Sequence, residues 1–146
     1  MTIPTAPIHT GRLNGQPVRF FKGPTGGPEL PWHAVEDLYR ALGLPCAVRR
    51  QLLRMTQEIW GQELRTVATP DGLVIIAPQY VAQGLLGAAT ELMGACAKAR
   101  TDLLEREYAH AGGKALKKLA GDLPPLASVA FALQALRTTN RIGETR

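Results

Sequence analysis

The sequence is poor in aromatic residues and in cysteine. Phe, Trp and Tyr make up 5% of the 146 residues, which argues against the platform of several stacked rings that single-strand binders use. The two cysteines, Cys46 and Cys96, lie far apart and match no metal-binding or redox spacing. We therefore expect both to be reduced and buried, as in a cytoplasmic protein.

Long apolar runs are absent as well. No stretch of about 18 uncharged apolar residues appears, so the sequence predicts no membrane span. The N-terminal MTIPTAPIHTGR lacks the basic and apolar regions of a secretory signal. These absences predict a cytoplasmic location with no membrane partner.

Signatures of catalysis and of cofactor binding are also missing. The glycine-rich GPTGGP, residues 23 to 28, has no lysine or hydroxyl at the places that a phosphate-binding loop requires. We interpret it as a turn that delivers Trp32 to the core. His9, His33 and His110 have no partner at a ligand spacing, and no Gly-x-Ser-x-Gly elbow is present. The sequence thus predicts a protein that is not an enzyme, with no catalytic residues, no cofactor and no metal.

Positive charge is concentrated in the C-terminal third. The net charge is +5, and residues 98 to 146 hold 9 basic residues against 5 acidic ones, whereas residues 1 to 97 hold 8 against 7. A basic excess attracts polyanions and releases their counterions. The charge favours a nucleic-acid partner without requiring one, since it also serves solubility.

Hydrophobic periodicity predicts an α+β fold, in which a strand and a β-hairpin form a small antiparallel sheet packed with several helices. Val35, Leu38, Tyr39 and Leu42 form one apolar stripe at helical spacing. The predicted strands cover residues 16–22 and 29–32 and the hairpin 64–76; the predicted helices cover 33–42, 46–60, 78–95 and 126–136.

These elements suggest four regions along the chain. Residues 1–15 are a flexible arm, 16–95 the α+β domain, 96–137 a helical extension and 138–146 a flexible tail. The glycine pair at 112–113 interrupts the helical pattern. Whether residues 97–120 form one helix or two is left open.

Four short motifs occur in a fixed order from residue 16 onward. They are Val18-Arg19 on a strand, Pro31-Trp32, Asp37 near a helix start, and Ala41-Leu42-Gly43 at that helix's end. A basic helix with RRQLLR, the hairpin RTVATPDGLVII and the segment APQYVAQGLL follow. This order resembles the N-terminal domain of the BRO family, which is shared by phage antirepressors and viral DNA-binding proteins.

The resemblance covers about residues 16 to 93 and has two departures. His33 stands where the family usually has an aromatic residue, and the family's usual ending, an Arg-Trp and a Glu-Val-Leu-Pro before a basic helix, is absent after Met93. The resemblance implies a small α+β domain that binds DNA or grips another regulator. It implies no catalysis and no cofactor, and it suggests transcription regulation of the phage or mobile-element type.

The first functional hypothesis is duplex DNA binding. Residues 34–57 have the outline of a helix-turn-helix. In the second helix, Val48, Leu52, Met55 and Ile59 stack on one side and leave the opposite side for base contacts. The predicted nucleic-acid-binding residues are Arg49, Arg50, Arg54 and Gln57 on that helix, with Lys98, Arg100, Lys114, Lys117 and Lys118, together with Arg106, as phosphate contacts.

The alternative hypothesis is an antirepressor-like inhibitor that sequesters a repressor or other nucleic-acid machinery. Such a protein needs an exposed apolar patch, and we expect it to form a homo-oligomer. The helices predicted at 78–95 and 126–136 are the candidates for that patch. The sequence leaves the choice between DNA and a regulatory protein open.

Overall fold

The computed structural model of the chain combines an antiparallel β-sheet with α-helices, which confirms the α+β class. The structure describes residues 5–25, 29–93, 95–121 and 123–144, with side chains over 5–25, 29–87, 99–121 and 123–137. The strands are β1 (His9–Leu13), β2 (Gln16–Phe21), β3 (Trp32–Ala34), β4 (Arg65–Thr69) and β5 (Gly72–Ala77). The helices are α1 (Val35–Ala41), α2 (Cys46–Trp60), α3 (Gln79–Met93), α4 (Ala95–Ala120) and α5 (Pro125–Glu144).

The strands form one antiparallel sheet in the order β1-β2-β3-β5-β4. The predicted hairpin of β4 and β5 and the predicted bounds of α2 are confirmed. The central strand β3 has three residues and lies slightly beyond the predicted range of 29–32. It joins the two hairpins through few residue pairs, among them Phe20 with His33 and His33 with Ala77.

Strand β1 occupies residues 9–13, which fall within the predicted flexible arm of residues 1–15, so this part of the prediction is wrong. It pairs with β2 along its whole length, from His9 opposite Phe20 to Leu13 opposite Gln16. The turn between the two strands is Asn14-Gly15, whose φ angles of 53° and 75° are both positive. An Asn-Gly pair favours this conformation because it matches the twist of a two-residue hairpin.

The helices α1, α3 and α4 pack on one face of the sheet. Their shared core includes Phe20 from β2, Leu38 from α1, Leu86 from α3 and Leu104 from α4, all almost fully buried. Because neighbouring residues of a strand point to opposite faces, Phe21 lies on the other face. There it joins a separate cluster with Trp32, Ala34 and Ile76, which confirms that Trp32 is a core residue.

Helix α4 answers the question left open for residues 97–120, which form one helix. It runs without interruption through Gly112 and Gly113. Its buried side chains Tyr108, Ala111 and Ala115 belong to the same core as the sheet. The tertiary contacts of α4 therefore offset the cost of glycine in a helix interior, about 1 kcal/mol for each residue.

Helix α5 is longer than predicted. It continues to Glu144. The prediction of a flexible tail over residues 138–146 is therefore wrong for residues 138–144. Ala135 is fully buried, whereas Leu126 and Leu133 are 83% and 63% exposed. Most of the described large apolar side chains of the helix therefore lie in solvent, whereas Phe131 is half-buried.

A buried carboxylate connects β2 to α1. Asp37 Oδ2 accepts the backbone N–H of Arg19 at 3.0 Å and its Nε–H at 2.8 Å, and Asp37 Oδ1 accepts from Nη2 at 3.0 Å. Arg40 reaches the same carboxylate at 3.5 Å. Asp37 lies beyond the end of β3, where β2 has lost its neighbouring strand, so the carboxylate supplies the acceptor that the sheet no longer offers.

A second buried polar contact connects β3 to α4. His33 Nδ1 and the hydroxyl of Tyr108 are 2.9 Å apart, and both side chains are buried. Burial lowers the pKa of His33 to about 3, although the nearby Asp37 opposes the shift. Burial also raises the pKa of Tyr108. Both groups are therefore neutral at pH 7, which avoids the cost of a buried charge.

Asp37→Asn is expected to lower the free energy of unfolding by about 2–3 kcal/mol, because Arg19 loses a charged acceptor and one N–H faces an amide donor. Arg19 is partly exposed, so the loss stays below the cost of breaking a fully buried pair. Urea unfolding measures the change. As a control, Arg40→Gln should cost less than about 1 kcal/mol, since Arg40 is exposed. Equal losses in the two variants would contradict this account of Asp37.

The buried His33 makes stability depend on pH. Its pKa is about 3 in the folded chain and about 6.5 in the unfolded chain, so the unfolded chain binds more protons between these values. The free energy of unfolding should fall by up to about 1.4 kcal/mol per pH unit as the pH drops below 6.5. Urea unfolding from pH 7 to 5 measures this slope before most carboxylates titrate.

Two variants test whether His33 causes this dependence of stability on pH. His33→Gln removes the more strongly shifted group, so the slope between pH 6.5 and 5 should decrease to the smaller contribution of His9, whose pKa burial also lowers. His110→Gln leaves both of these groups in place and should keep the slope. A wild-type protein whose stability does not change between pH 6.5 and 5 would refute the role given to His33.

Candidate nucleic-acid interface

Helix α2 is attached to the fold by a narrow inward face. Thr56 is its one buried residue, and Leu52, Leu53 and Trp60 are half-buried against the core. The hydroxyl of Tyr39 on α1 bonds to Thr56 Oγ1, which in turn donates to the carbonyl of Leu52 at 2.8 Å. Burial raises the pKa of Tyr39, so its hydroxyl stays protonated and donates to Thr56.

The outward face of α2 carries the predicted reading residues. Arg50, Arg54 and Gln57 are all exposed, and at 100° per residue they lie within one sector of the helix. The structure thus brings these three predicted residues together on one solvent-facing surface. Arg49 is half-buried and lies, with Arg50, along the groove between α1 and α2.

A small groove of about 160 Å³ separates α1 from α2. Its lining includes Glu36 and Arg40 from α1, and Cys46, Arg49 and Arg50 from α2. The side chain of Cys46 is exposed, which corrects the expectation that it is buried. A hydrogen bond with Arg49 and the charge of Arg50 lower the pKa of the Cys46 thiol. The side chain of Cys96 lies outside those that the structure describes.

A second surface of α2 is apolar. Val48, Met55 and Ile59 are 43%, 48% and 56% exposed. Their spacing groups them with Leu52 on one side of the helix, but only Leu52, at the edge of this apolar stripe, packs against the core. Helix α2 therefore presents an arginine surface and an apolar surface to solvent at the same time.

The predicted phosphate contacts on α4 lie elsewhere. Helix α4 packs against β1 and α3, whereas α2 packs near Leu64 and Val81, at the β4 end of the sheet. Lys114 faces β1, and Lys117 faces the space between α4 and α5. Arg100 and Lys118 are exposed as well, and the side chain of Lys98 is outside the described part of the chain. The structure does not join the α2 and α4 residues into one surface.

A groove of about 530 Å³ lies between β1 and α4, and we call it the β1–α4 groove. Sequence reasoning missed His9, Arg12 and His110 as members of a site. The sequence signal that could have placed His9 and Arg12 in this groove is the Asn14-Gly15 turn, which pairs β1 with β2. The lining consists of main-chain and side-chain atoms of β1 and α4, including His9, Arg12, Arg106, Glu107, His110 and Lys114.

Comparison of the chain with protein-family models, with curated proteins and with solved structures finds no match. Within the described residues, no single helix is long and apolar enough to cross a membrane. The helix pair 99–120 and 125–137 reaches that length and composition jointly, with a bend of 118° between its halves.

Thr56→Val is expected to lower the free energy of unfolding by about 1–3 kcal/mol, because the buried Tyr39 hydroxyl loses its acceptor. Amide hydrogen exchange should accelerate in α2 more than in α4, since α2 has few other buried contacts. Thr56→Ser keeps the hydroxyl and should exchange like the wild type. Uniform acceleration over both helices in Thr56→Val would show that Thr56 does not specifically hold α2.

Proposed function

We propose that the protein is a non-enzymatic regulator that binds duplex DNA through helix α2. The observation that carries the proposal is the placement of α2. It is held along a narrow inward face and directs Arg50, Arg54 and Gln57 into solvent. A surface helix that packs on one side and presents arginine and glutamine to solvent on another is the kind of element that enters a major groove.

The chemistry of these side chains suits base recognition. Arginine pairs through two hydrogen bonds with guanine, and glutamine does so with adenine. Arg40 and Arg49 lie beside them along the α1–α2 groove, where they would contact phosphates next to the bases that α2 reads. Phosphate contacts of this kind fix the register of a protein on DNA without specifying sequence.

The resemblance to the BRO family supports a phage or mobile-element regulator. Two residues of the shared motif, Arg19 and Asp37, form the ion pair that fixes α1 to the sheet. Pro31-Trp32 leads into the central strand, and Trp32 is buried in the core. In this proposal the motif residues build the frame, and the exposed arginine face of α2 provides the recognition.

A second candidate function, binding of a regulatory protein, is favoured by the exposed apolar surfaces. On α5, Leu126, Val129, Leu133 and Leu136 are between 43% and 83% exposed. Exposed apolar patches of this kind mark sites of protein association, and self-association through them would give a homo-oligomer. Helix α3 is a weaker candidate, because Val81, Ala82 and Leu86 are used by the chain's own core.

Arg50→Gln with Arg54→Gln is expected to weaken duplex binding at least about tenfold, because each arginine contact with a base contributes about 1–3 kcal/mol. Fluorescence anisotropy with mixed-sequence duplexes at several salt concentrations measures the change. Arg50→Lys with Arg54→Lys keeps the charge and should retain binding to unrelated duplexes while it loses sequence preference.

The matched control is Arg65→Gln with Arg137→Gln, which removes the same charge from exposed positions off α2. It should bind duplex DNA nearly as the wild type does. Unchanged affinity in the Arg50 and Arg54 variant would remove α2 from the account. Absence of duplex binding at low salt would instead favour the protein-binding function.

A further inference from the structure

Cations outnumber carboxylates in the β1–α4 groove. Arg12, Arg106 and Lys114 line it, and Glu107 is the one carboxylate among the described lining residues. Glu107 Oε1 accepts the backbone N–H of Asn14 at 3.2 Å. In the part of the chain that the structure describes, no ion pair neutralises Arg106 or Lys114. This contrasts with Arg19 and Arg40, which share the carboxylate of Asp37.

The rim of the groove adds a further cation. Lys118 Nζ donates to His9 Nδ1 at 2.9 Å, so His9 is neutral in this contact. Burial lowers the pKa of His9, and the charges of Lys118, Lys114 and His110 lower it further. The histidine therefore responds to the positive potential of the groove.

Basic residues of α4 recur at a regular spacing beside the groove. Arg106, His110, Lys114 and Lys118 follow one another every four residues. With a rise of 1.5 Å per residue, successive side chains start about 6 Å apart and the row extends over about 18 Å. An open groove with such a row fits a chain of anionic groups better than it fits a single enclosed ion.

We propose that the β1–α4 groove binds phosphate groups and that its occupant is the sugar–phosphate backbone of a nucleic acid. The identification of the occupant as a nucleic acid rests on the proposed function. The inference that the groove binds phosphate rests on the charge and the shape of the groove alone. The guanidinium groups of Arg12 and Arg106 bind phosphate oxygens in pairs, and Lys114 and Lys118 act as point charges. Contacts of these side chains with the sugar–phosphate backbone would position the nucleic acid without reading its base sequence.

The first measurement compares Arg106→Gln with Lys114→Gln against Lys22→Gln with Arg65→Gln. Both double variants remove one arginine and one lysine charge from exposed positions, but Lys22 and Arg65 lie outside the groove. Anisotropy of a labelled single-stranded oligonucleotide is measured against salt. The slope of log affinity against log salt should decrease by about 0.7 for each phosphate that the groove variant no longer neutralises, and it should not change in the control. Equal decreases in both variants would reveal a general charge effect and overturn the proposal.

The second measurement follows the ring signals of His9 by NMR during a pH titration. A bound anion offsets the charges of Lys114 and Lys118, so the pKa of His9 should rise when the oligonucleotide is added. Inorganic pyrophosphate is the other probe. A rise with the oligonucleotide and none with pyrophosphate supports the backbone as occupant, whereas a rise with pyrophosphate alone overturns that occupant in favour of a small phosphorylated ligand. No rise with either probe refutes the phosphate site.

The two proposals fail in different ways. If duplex binding depends on Arg50 and Arg54 while the groove variant behaves like its control, the function of α2 stands and the groove inference fails. If pyrophosphate raises the pKa of His9 but no nucleic acid binds, the groove is a phosphate site and the DNA-binding function fails.

Discussion

The carboxylate of Asp37 solves a problem that the short central strand creates. Strand β3 ends at Ala34, and its two residue pairs with β2 leave the backbone of Arg19 paired with β1 on one side and with no strand residue on the side of β3. A buried backbone N–H without an acceptor is costly. Asp37 accepts this N–H together with the Arg19 side chain, so one carboxylate replaces the missing strand and balances the guanidinium charge.

The position of α2 follows from this contact. Helix α1 has no side-chain cap at its N-terminus, so its orientation depends on Asp37 and on the burial of Val35, Leu38 and Tyr39. Tyr39 then holds Thr56, the buried residue of α2. The order of dependence runs from β2 through α1 to α2, and the exposed arginines of α2 are positioned by side chains that no ligand contacts.

Local signals in the sequence were sufficient for the elements whose packing is local. The stripe on α1, the bounds of α2 and the β4–β5 hairpin were predictable from spacing and turn residues. The Asn14-Gly15 turn was an equally strong signal for the β1–β2 hairpin. It was missed because the N-terminal residues were interpreted as a flexible arm. The continuity of α4 through Gly112 and Gly113 was not predictable in this way, because the contacts that offset the cost of glycine come from β1 and β2, about 90 residues away in the sequence.

The candidate sites show a different limit. Periodicity grouped Arg50, Arg54 and Gln57 correctly, since angular position on a helix depends only on spacing. It did not show that Val48, Met55 and Ile59 are exposed, because an apolar stripe has the same spacing whether a core, a partner or solvent covers it. The β1–α4 groove and the His33–Tyr108 contact join residues from distant parts of the chain, so local sequence patterns could not predict either of them.

The arrangement of the helices relates the two cationic surfaces to each other. Helix α3 lies between α2 and α4, contacting Trp60 of α2 through Gly84 and packing along α4. Under the proposed function, the two surfaces have different tasks, with bases contacted at α2 and backbone phosphates contacted at the β1–α4 groove. Specificity then arises at α2, while the groove adds affinity that depends on salt and not on sequence.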